Sequence, residues 1–350
     1  MEVLYKKNGY TITVGEKPNA NAIELLHTTL WGTNGPIFEH LDTHERIIHI
    51  SGSLAFSLEK NGKTISTCTV LERNITVEGK EYKTWYGRYF AVDKDYQGKM
   101  FGNILLKEMK NYLQKISNLP TIFYAYVDQA NPRSRKLLLH TGFKVIRRFE
   151  TSVFSRMYPK HDPRVSKISK PEDIETILSL LKKQNENNTF LNFDNLFFQH
   201  NYFILKEGNE IVSGIQASIT KWKIQKLPGF SGKVIIKILP YIPFISRLFN
   251  PKDFRFAAFE GIYCKKGHEK DLFKLMESAC AQLELFIGMI WLDPEMELSK
   301  RIKNAGDWGL MNRMREDLPA HVVAGFYNVS ETEQELFHKK PVYISAFDLT

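Results

Sequence analysis

The pattern of apolar and polar residues changes from that of a strand to that of a helix between residues 88 and 113. An aromatic and β-branched run at 88–92 predicts a buried strand, and the polar run 93–98 interrupts it. Beyond the interruption, apolar residues recur at the spacing of one helix face, at Met100, Phe101, Ile104, Leu105, Met109 and Leu113. The chain is therefore expected to pass here from a strand through a short loop into a helix.

The rest of the first half predicts a mixture of strands and helices. Alternation predicts a strand at 9–14, and a helical stripe covers 19–30. Two strands at 53–58 and 64–71 flank Asn61 and Gly62, a pair that strongly favours a two-residue hairpin turn. A further apolar strand is expected at 121–127, followed by a helix at 132–140.

The second half repeats this order of elements after a proline-containing linker at 158–163. A helix is expected at 171–181, with Ser169 as a candidate N-cap and Pro171 in its first turn. A hairpin at 202–219, a strand at 256–263, a helix at 271–285 and a strand at 287–292 follow. The repeated order predicts a divergent tandem duplication, with domains at 1–158 and 159–350 that share one fold.

The loop at 93–102 has features of an anion site. A turn that delivers a strand into a helix N-terminus presents unpaired N–H groups and the positive end of the helix dipole. Gly98 and Gly102 would allow close approach to the backbone, and Lys99 adds a positive charge. On spacing alone, a phosphate site and an unliganded glycine turn remain equally open, since the spacing fits neither a Walker A loop nor a dinucleotide fingerprint.

The segment Gln97-Gly-Lys-Met-Phe-Gly102 resembles the acyl-CoA pyrophosphate loop of the GNAT superfamily of N-acetyltransferases. The segment 131–143, Asn-Pro-Arg-Ser-Arg-Lys-Leu-Leu-Leu-His-Thr-Gly-Phe, is similar to a second motif of that family, and the resemblance covers about 9–158. Two residues depart from the pattern. Met100 stands where a glycine is usual, and Leu138 stands where many members have the tyrosine most often assigned as general acid.

The resemblance implies an α/β fold of the α+β type: two tandem GNAT-like domains, each with a mixed, mainly antiparallel sheet flanked by helices. It also implies an N-acyltransferase that moves acetyl from acetyl-CoA, or another acyl group from its acyl-CoA, directly to a primary amine. The acceptor would be a small-molecule or peptide amine. The second domain lacks the loop spacing at 265–268, so we expect no cofactor there.

The resemblance also implies which residues hold the cofactor. The main chain at 89–92 would bind the pantetheine arm, with the N–H of Phe90 or Ala91 polarising the thioester, and the loop N–H groups would bind the pyrophosphate. Asn131 is expected to cap the following helix and to lie near the pantetheine. The complete predicted set is Phe90, Ala91, Val92, Gln97, Gly98, Lys99, Met100, Phe101, Gly102, Asn103, Asn131 and Ser134.

Candidate catalytic residues are harder to identify, because no carboxylate lies near the end of the strand before Val92. Tyr86 and Tyr89 lie on that strand and Asp128 ends the next one, where it could accept a proton through water. Strand alternation would place Tyr86 on one face and Tyr89 on the other. Each is equally compatible with a packing or surface role, and His140 is expected at the surface.

Composition narrows the class of protein. With 43% apolar and 25% charged residues in 350, two ordinary globular cores can form. A net charge of +9 suits a cofactor with three phosphates, and no nucleic-acid-binding motif accompanies the scattered basic residues. The cysteines, Cys68, Cys264 and Cys280, lack metal-ligand spacing, so we expect buried thiols and no metal site. No secretion signal or membrane span is apparent, which predicts a cytoplasmic protein.

Two other functions remain open. One is a non-catalytic acyl-CoA-binding module, which the missing tyrosine and carboxylate favour. The other is an aminoacyl or peptidyl transferase with a charged RNA as donor, against which the pyrophosphate-like loop argues. The sequence identifies neither the acceptor nor the oligomeric state.

The segment 232–249 is the most apolar part of the chain and is edged by Lys233, Lys237 and Arg247. It could contact a membrane interface, cover an acceptor as a lid, or pack as an ordinary element between sheets. Its two prolines argue against a single long helix.

Overall fold

The computed structural model describes residues 1–242, 245–314 and 319–350, apart from the side chains of residues 230, 231 and 245. The chain divides into two compact units. Unit 1 comprises Met1–Arg147 and Ala320–Lys339, and unit 2 comprises Arg148–Pro319 and Lys340–Thr350. This division differs from the expected boundary after residue 158, because the chain changes unit within one strand and a later segment belongs to unit 1.

Unit 1 contains a sheet and its covering helices. Its strands are β1 (Glu2–Lys7), β2 (Tyr10–Gly15), β3 (Ile37–His40), β4 (Ser53–Lys60), β5 (Lys63–Val77), β6 (Lys80–Val92), β7 (Thr121–Asp128), the start of β8 (Lys144–Ser155) and β14 (Ala320–Tyr327). Its helices are α1 (Ala20–Thr28), α2 (Thr43–His49), α3 (Phe101–Ile116), α4 (Pro132–His140) and α11 (Glu331–Lys339).

The sheet of unit 1 runs in the order β1, β2, β4, β5, β6, β7, β14. Every neighbouring pair is antiparallel except β6 and β7, which are parallel. The predicted hairpin of β4 and β5 is confirmed, with positive φ angles of 49° at Asn61 and 81° at Gly62. A turn of this kind requires left-handed backbone at both positions, which asparagine and glycine adopt readily.

Unit 2 also contains a sheet and its covering helices. Its strands are the rest of β8, β9 (Val165–Lys167), β10 (Tyr202–Glu207), β11 (Glu210–Lys226), β12 (Phe254–Cys264) and β13 (Ile287–Leu292). Its helices are α5 (Pro171–Gln184), α6 (Gly229–Ile238), α7 (Ile245–Leu248), α8 (Glu269–Gln282), α9 (Glu297–Ile302), α10 (Leu310–Met314) and α12 (Ala346–Leu349).

The sheet of unit 2 runs in the order β8, β13, β12, β11, β10, β9. Its pairs are antiparallel except β12 and β13. Each unit therefore has a hairpin that leads into a long strand, then a helix, then a parallel strand. The predicted pair of domains with one mixed, mainly antiparallel α+β fold is confirmed.

The core of each unit lies between its sheet and the helix that follows the long strand. In unit 1 the apolar stripe of α3, with Leu105, Met109 and Leu113, packs with Trp85 and Phe123 of the sheet. In unit 2 the corresponding stripe of α8 consists of Leu272, Leu275, Met276 and Ala279. The three cysteines are buried free thiols as predicted, and burial raises the pKa of Cys68 and Cys280 to about 12.

Two local predictions need correction or completion. The cap position of α5 is Lys170 and not Ser169, because Pro171 already occupies the first helical position. The apolar insertion is broken as its prolines predict, into α6, a 3-10 turn at Leu239–Tyr241 and α7, although residues 243 and 244 lie outside the described chain. Over the ranges that the structure describes, no helix combines the length and apolar character needed to cross a bilayer.

Candidate functional site

The parallel strands β6 and β7 of unit 1 diverge towards their carboxyl ends. Their pairing joins Lys83–Tyr86 to Thr121–Tyr124, whereas β6 continues to Val92 and β7 to Asp128. The outer edges of the two strands pair with β5 and β14. Residues 87–92 of β6 and 125–128 of β7 thus lie beyond the register that joins the two strands, and we call the space between them the opening.

A β-bulge interrupts β6 at this opening. Arg88 pairs with Thr69 and Ala91 pairs with Thr67, so two residues of β6 face a single residue of β5. Tyr89 has a φ of +53°, a left-handed conformation that is rare for a tyrosine. Bulges leave a residue outside the ladder and turn the main chain, which here includes the N–H groups of Phe90 and Ala91.

The bulge also corrects the expected alternation of side chains along β6. The guanidinium of Arg88 lies 4.1 Å from the centre of the Tyr89 ring, and its Nη2 donates a hydrogen bond of 2.6 Å to the Tyr89 hydroxyl. Adjacent strand residues normally point to opposite faces, but the left-handed backbone at Tyr89 brings these two side chains together.

The loop after β6 is held in shape by its own polar groups. The Asp93 Oδ1 accepts a hydrogen bond of 2.9 Å from the N–H of Asp95, at the start of a 3-10 turn. Gln97 Nε2 donates to the carbonyl of Val92 at 3.1 Å, and Lys99 Nζ donates to the carbonyl of Asp95 at 2.7 Å. Gln97 therefore ties the loop to the end of the strand.

The loop delivers the chain into α3, whose first N–H groups have no acceptor within the helix. Met100 is the N-cap residue and has a φ of +66°, in the left-handed region that glycine adopts without strain. Its side chain is 65% exposed. The turn therefore forms with methionine at the usual glycine position, at a cost of about 1 kcal/mol or more in backbone strain.

Gly102 allows α3 to begin close against β6. A Cβ atom at this position would lie 3.0 Å from Cζ of Phe90 and 3.4 Å from Cγ2 of Val92. The first turn of α3, the loop and the end of β6 thus form one compact cradle, which contains the first N–H groups of α3 and, in the loop, Lys99. Such a cradle is suited to a phosphate group.

The second predicted motif adjoins this loop. Asn131 caps α4 as expected, with its Oδ1 accepting a hydrogen bond of 3.1 Å from the N–H of Ser134. Arg133 Nη1 donates to Oε1 of Gln97 at 3.3 Å, which links α4 to the loop. Leu138 packs against the core of unit 1, and Nδ1 of the exposed His140 is bonded to the carbonyl of Lys136 in the same helix.

The structure brings Tyr86 and Asp128 to one face of the sheet. The Tyr86 ring lies 5.1 Å from the ring of Tyr126, and Asp128 is two residues further along β7 on the same side. Burial raises the pKa of Asp128 above its ordinary value, while the N–H of Ala130, which donates at 2.8 Å, and His321 act against this shift.

Tyr89 occupies a different environment from Tyr86 and Asp128. It is buried beside Arg88 and Trp31, whose ring centre is 6.4 Å away. Burial raises its pKa, and the positive charges of Arg88 and Arg46 only partly oppose this. At neutral pH the Tyr89 hydroxyl is therefore protonated and serves as a hydrogen-bonding group.

Sequence reasoning missed a group of buried polar residues in unit 1. Arg73 Nη1 donates to the Tyr124 hydroxyl at 2.7 Å, and its guanidinium lies 5.3 Å from the centre of the Tyr86 ring. Asp42 and Arg46 form a buried ion pair at 2.9 Å. Two features of the sequence could have indicated these residues. Asp42 and Arg46 have the i,i+4 spacing of a helical ion pair, and Arg73 lies within the apolar alternation of β5.

His40 belongs to the same buried region. Its ring packs edge-on against Trp31 and Phe38, at centroid distances of 5.6 and 5.3 Å. Burial, together with the charges of Arg46 and Arg88, lowers the pKa of His40 from 6.5 to about 3. The imidazole is therefore neutral at pH 7.

In unit 2, side chains form hydrogen bonds with the main-chain groups at the positions that correspond to the opening in unit 1. The N–H of Gly261 donates to the Tyr343 hydroxyl at 3.1 Å, and the Tyr202 hydroxyl donates to the Gly261 carbonyl at 2.7 Å. Gln184 Nε2 donates to the carbonyl of Ile262 at 2.7 Å. Main-chain groups that could hold a pantetheine arm are thus already bonded within the protein.

At the loop before α8, a carboxylate of the protein, that of Glu269, bonds to the main chain. Glu269 Oε1 accepts a hydrogen bond of 3.3 Å from the N–H of Gly267 and pairs with Arg301 at 2.6 Å. Lys265 is paired with Glu210 at 2.6 Å. A carboxylate of the protein therefore occupies the position near the helix N-terminus where a phosphate would bind.

A nearby acidic cluster joins Glu207, His268 and Asp271, whose donor atoms all lie within 4.8 Å of one another. Arg164 lies 3.3 Å from Asp271 and 3.5 Å from Glu207, and Lys274 lies 3.1 Å from Asp271. These side-chain cations already neutralise the carboxylates, so the cluster does not form a convincing metal site.

Comparison with known proteins agrees with this geometry. Residues 20–143 match the acetyltransferase (GNAT) family. Among proteins of curated function, none matches the chain in sequence.

Similar folds occur in solved structures. Saccharomyces cerevisiae N-myristoyltransferase with bound myristoyl-CoA is similar, with a TM-score of 0.63 at 10% identity, over 98% of this chain and 91% of that one. A second structure of that enzyme with myristoyl-CoA gives 0.60 at 10% identity, over 95% and 85%. A GCN5-related N-acetyltransferase from Anabaena variabilis gives 0.51 at 6% identity, over 89% and 72%. At these identities the likeness is one of fold.

Proposed function

We propose that this chain is an acyl-CoA-dependent N-acyltransferase whose site lies in unit 1, and the match of its residues 20–143 to the acetyltransferase (GNAT) family supports the proposal. The observation that carries the proposal is the continuity of three features: the opening between β6 and β7, the bulge at Tyr89 and the cradle before α3. An acyl-CoA has an extended arm, a thioester and a pyrophosphate, which would lie at the opening, the bulge and the cradle respectively.

The residues of the cradle fit the pyrophosphate. The N–H groups of Phe101, Gly102 and Asn103 lie in the first turn of α3, where anions are favoured, and Lys99 adds a positive charge. Gly98, with a φ of +78° and nothing within 4 Å of a built Cβ, leaves the loop open to a ligand. Met100, Gln97 and Arg133 shape the loop, while Asn131 and Ser134 lie at the start of α4 beside it.

The bulge fits the reacting end. The main-chain groups of Phe90, Ala91 and Val92 would align the arm, and the N–H of Phe90 or Ala91 would stabilise negative charge on the thioester oxygen. In the reaction the amine nitrogen forms a bond to the carbonyl carbon, and the carbon–sulfur bond breaks. The amine loses a proton and the departing thiolate gains one.

We assign proton transfer to the face that holds Asp128 and Tyr86. Burial raises the pKa of Asp128, which makes its carboxylate a better base for an ammonium proton carried through water. Tyr86, on the same face of the sheet and opposite Tyr124, is the proposed proton donor to the thiolate. Tyr89, which is bound by Arg88, acts as a positioning residue for the bulge.

Acetyl is the proposed acyl group, and a primary amine of a small molecule or peptide is the proposed acceptor. A longer acyl chain is the second candidate, because the fold is similar over 98% of this chain to an enzyme solved with myristoyl-CoA. We propose that unit 2 binds no cofactor, since Tyr343, Tyr202, Gln184 and Glu269 already occupy the corresponding groups.

Calorimetric titration with CoA, acetyl-CoA and myristoyl-CoA, followed by thiol-release assays with a panel of amines, tests the proposal. One site per chain and amine-dependent thiol release with acetyl-CoA are expected. Preference for myristoyl-CoA in both assays would replace acetyl with a long acyl chain. Binding without turnover would indicate a non-catalytic acyl-CoA module, and no binding of any CoA species would overturn the proposal.

A further inference from the structure

Residues 221–252 of unit 2 have an unusual charge composition. The segment contains seven basic residues and no aspartate or glutamate, although the whole chain has 48 basic and 39 acidic residues. The seven are Lys221, Lys223, Lys226, Lys233, Lys237, Arg247 and Lys252. Much of the excess positive charge of the chain is thus concentrated in the part that is also the most apolar.

The structure places apolar and basic side chains of this segment together at the surface. On α6, Val234 and Ile238 are 39% and 51% exposed, and Tyr241 in the following turn is 85% exposed. Lys233 and Lys237 are also exposed. Val234 and Ile238 are four residues apart, as are Lys233 and Lys237, so each pair lies along one side of the helix. We call these five residues the basic apolar face.

The segment is anchored to unit 2 by its ends. Leu248 and Phe249 are buried, and the ring of Phe249 lies 5.5 Å from that of Phe254. The N–H of Ile224 donates to the carbonyl of Pro251 at 2.7 Å. The packed-element interpretation therefore holds for Leu248 and Phe249, whereas Val234 and Ile238 of α6 are exposed.

We propose that the basic apolar face docks the protein on an anionic lipid surface. Aliphatic side chains and an exposed tyrosine suit the boundary between headgroups and acyl chains, and lysines beside them are attracted to acidic headgroups. The phosphates of a nucleic acid would bind the lysines, but Val234 and Ile238 would remain exposed to water. Because 221–252 contains no aspartate or glutamate, no carboxylate of the segment would repel acidic headgroups.

Vesicle flotation of the full chain tests this inference, with phosphatidylcholine alone and phosphatidylcholine mixed with phosphatidylserine. Binding is expected only to the mixed vesicles, and it should weaken at high salt because screening shortens the range of the attraction. Lys233→Ala combined with Lys237→Ala should weaken binding about 30-fold, from the usual contribution of a basic residue near such a surface. Ile238→Ser with Tyr241→Ser should also weaken it.

The matched control is Lys6→Ala with Lys7→Ala, which removes the same charge from exposed positions of β1. Equal losses in the two lysine pairs would mean that net charge alone acts, and would overturn the inference. Equal binding to both vesicle types would overturn the role of charge. Binding to heparin that the Lys233 and Lys237 changes abolish, without binding to vesicles, would identify a polyanion partner instead. Circular dichroism of each variant verifies its fold.

Discussion

Arg88 and Tyr89 are neighbours on one strand, yet the Arg88 guanidinium lies 4.1 Å from the centre of the Tyr89 ring and is hydrogen-bonded to its hydroxyl. This contact exists because the bulge gives Tyr89 a left-handed backbone. The contact in turn stabilises the bulge, since both side chains are buried and the Tyr89 hydroxyl accepts a hydrogen bond from Nη2 of Arg88. The position of the Phe90 and Ala91 N–H groups therefore depends on this pair.

Replacing Tyr89 by phenylalanine tests whether this residue positions the bulge or transfers a proton. Loss of the hydroxyl removes a hydrogen bond to a buried charge, so unfolding free energy should fall by about 1.5–3 kcal/mol. A positioning role predicts a modest fall in kcat, whereas a general acid would lose about 100-fold or more. Thermal denaturation and steady-state kinetics measure the two effects. Tyr5→Phe, at an exposed tyrosine of β1, is the control.

Met100→Gly should stabilise the loop, because glycine adopts the left-handed conformation at Met100 without strain. The expected gain in unfolding free energy is up to about 1 kcal/mol, with acyl-CoA affinity unchanged or higher. Met100→Val should do the opposite, since a β-branched residue tolerates positive φ poorly. Paired thermal melts and titrations distinguish the two. Equal behaviour of both variants would show that the turn has no bearing on binding.

Gly102→Glu should abolish acyl-CoA binding, by placing bulk and negative charge in the cradle. Gly102→Ala separates the steric part, because its Cβ would lie 3.0 Å from the Phe90 ring and require a small shift of α3. In unit 2, Lys265→Ala with Lys266→Ala should leave affinity intact. Isothermal titration measures all three. Retained binding in Gly102→Glu would exclude the loop from the site.

Asp128→Asn should lower kcat/KM by about 100- to 10,000-fold if Asp128 is the general base. The base must be ionised, so activity of the unaltered enzyme should fall as pH drops through the pKa of Asp128, which burial raises above its ordinary 3.8. That acidic limb of the pH–rate profile should vanish in the variant. Glu335→Gln, at an exposed carboxylate of α11, is the control. If the acidic limb of the pH–rate profile is unchanged in Asp128→Asn, another group is the general base.

His40→Gln should flatten the dependence of stability on pH. The unfolded chain binds a proton at His40 near pH 6.5, but the folded protein binds it only near pH 3. Between these values the unfolded state holds more protons, so unfolding free energy falls as pH decreases, by up to about 1.4 kcal/mol per pH unit. Urea denaturation at several pH values measures the slope. Identical slopes in both proteins would show that His40 does not cause it.

The sequence predicted those parts of the fold that depend on neighbours along the chain. The turn at Asn61 and Gly62, the capping of α4 by Asn131 and the loop before α3 follow from backbone preferences and helix periodicity, which are local. The membership of β8 and β14 in their sheets could not be predicted, because it depends on pairing between residues far apart in the sequence.

Dependence on residues far apart in the sequence also explains why the bulge and the buried polar residues at the candidate site were not predicted. The bulge at Tyr89 is a property of register between β5 and β6, and alternation along one strand carries no signal of it. The contact between Arg73 and Tyr124 joins residues 51 positions apart. The loop residues could be proposed from sequence because their spacing is local, whereas the buried polar residues around Tyr86 could be recognised only in the folded sheet.

The carboxylate of Glu269, bound by Gly267 and Arg301 at the start of α8, gives the two units different sources of stability. In unit 2 the anion is a side chain of the protein itself. Its contribution to stability is therefore the same at every metabolite concentration. Under the proposed function, unit 1 obtains the equivalent contribution from acyl-CoA, and its stability rises by about 2.7 kcal/mol at a hundredfold excess over Kd. Resistance of unit 1 to proteolysis would then report the acyl-CoA level of its surroundings, while that of unit 2 would not.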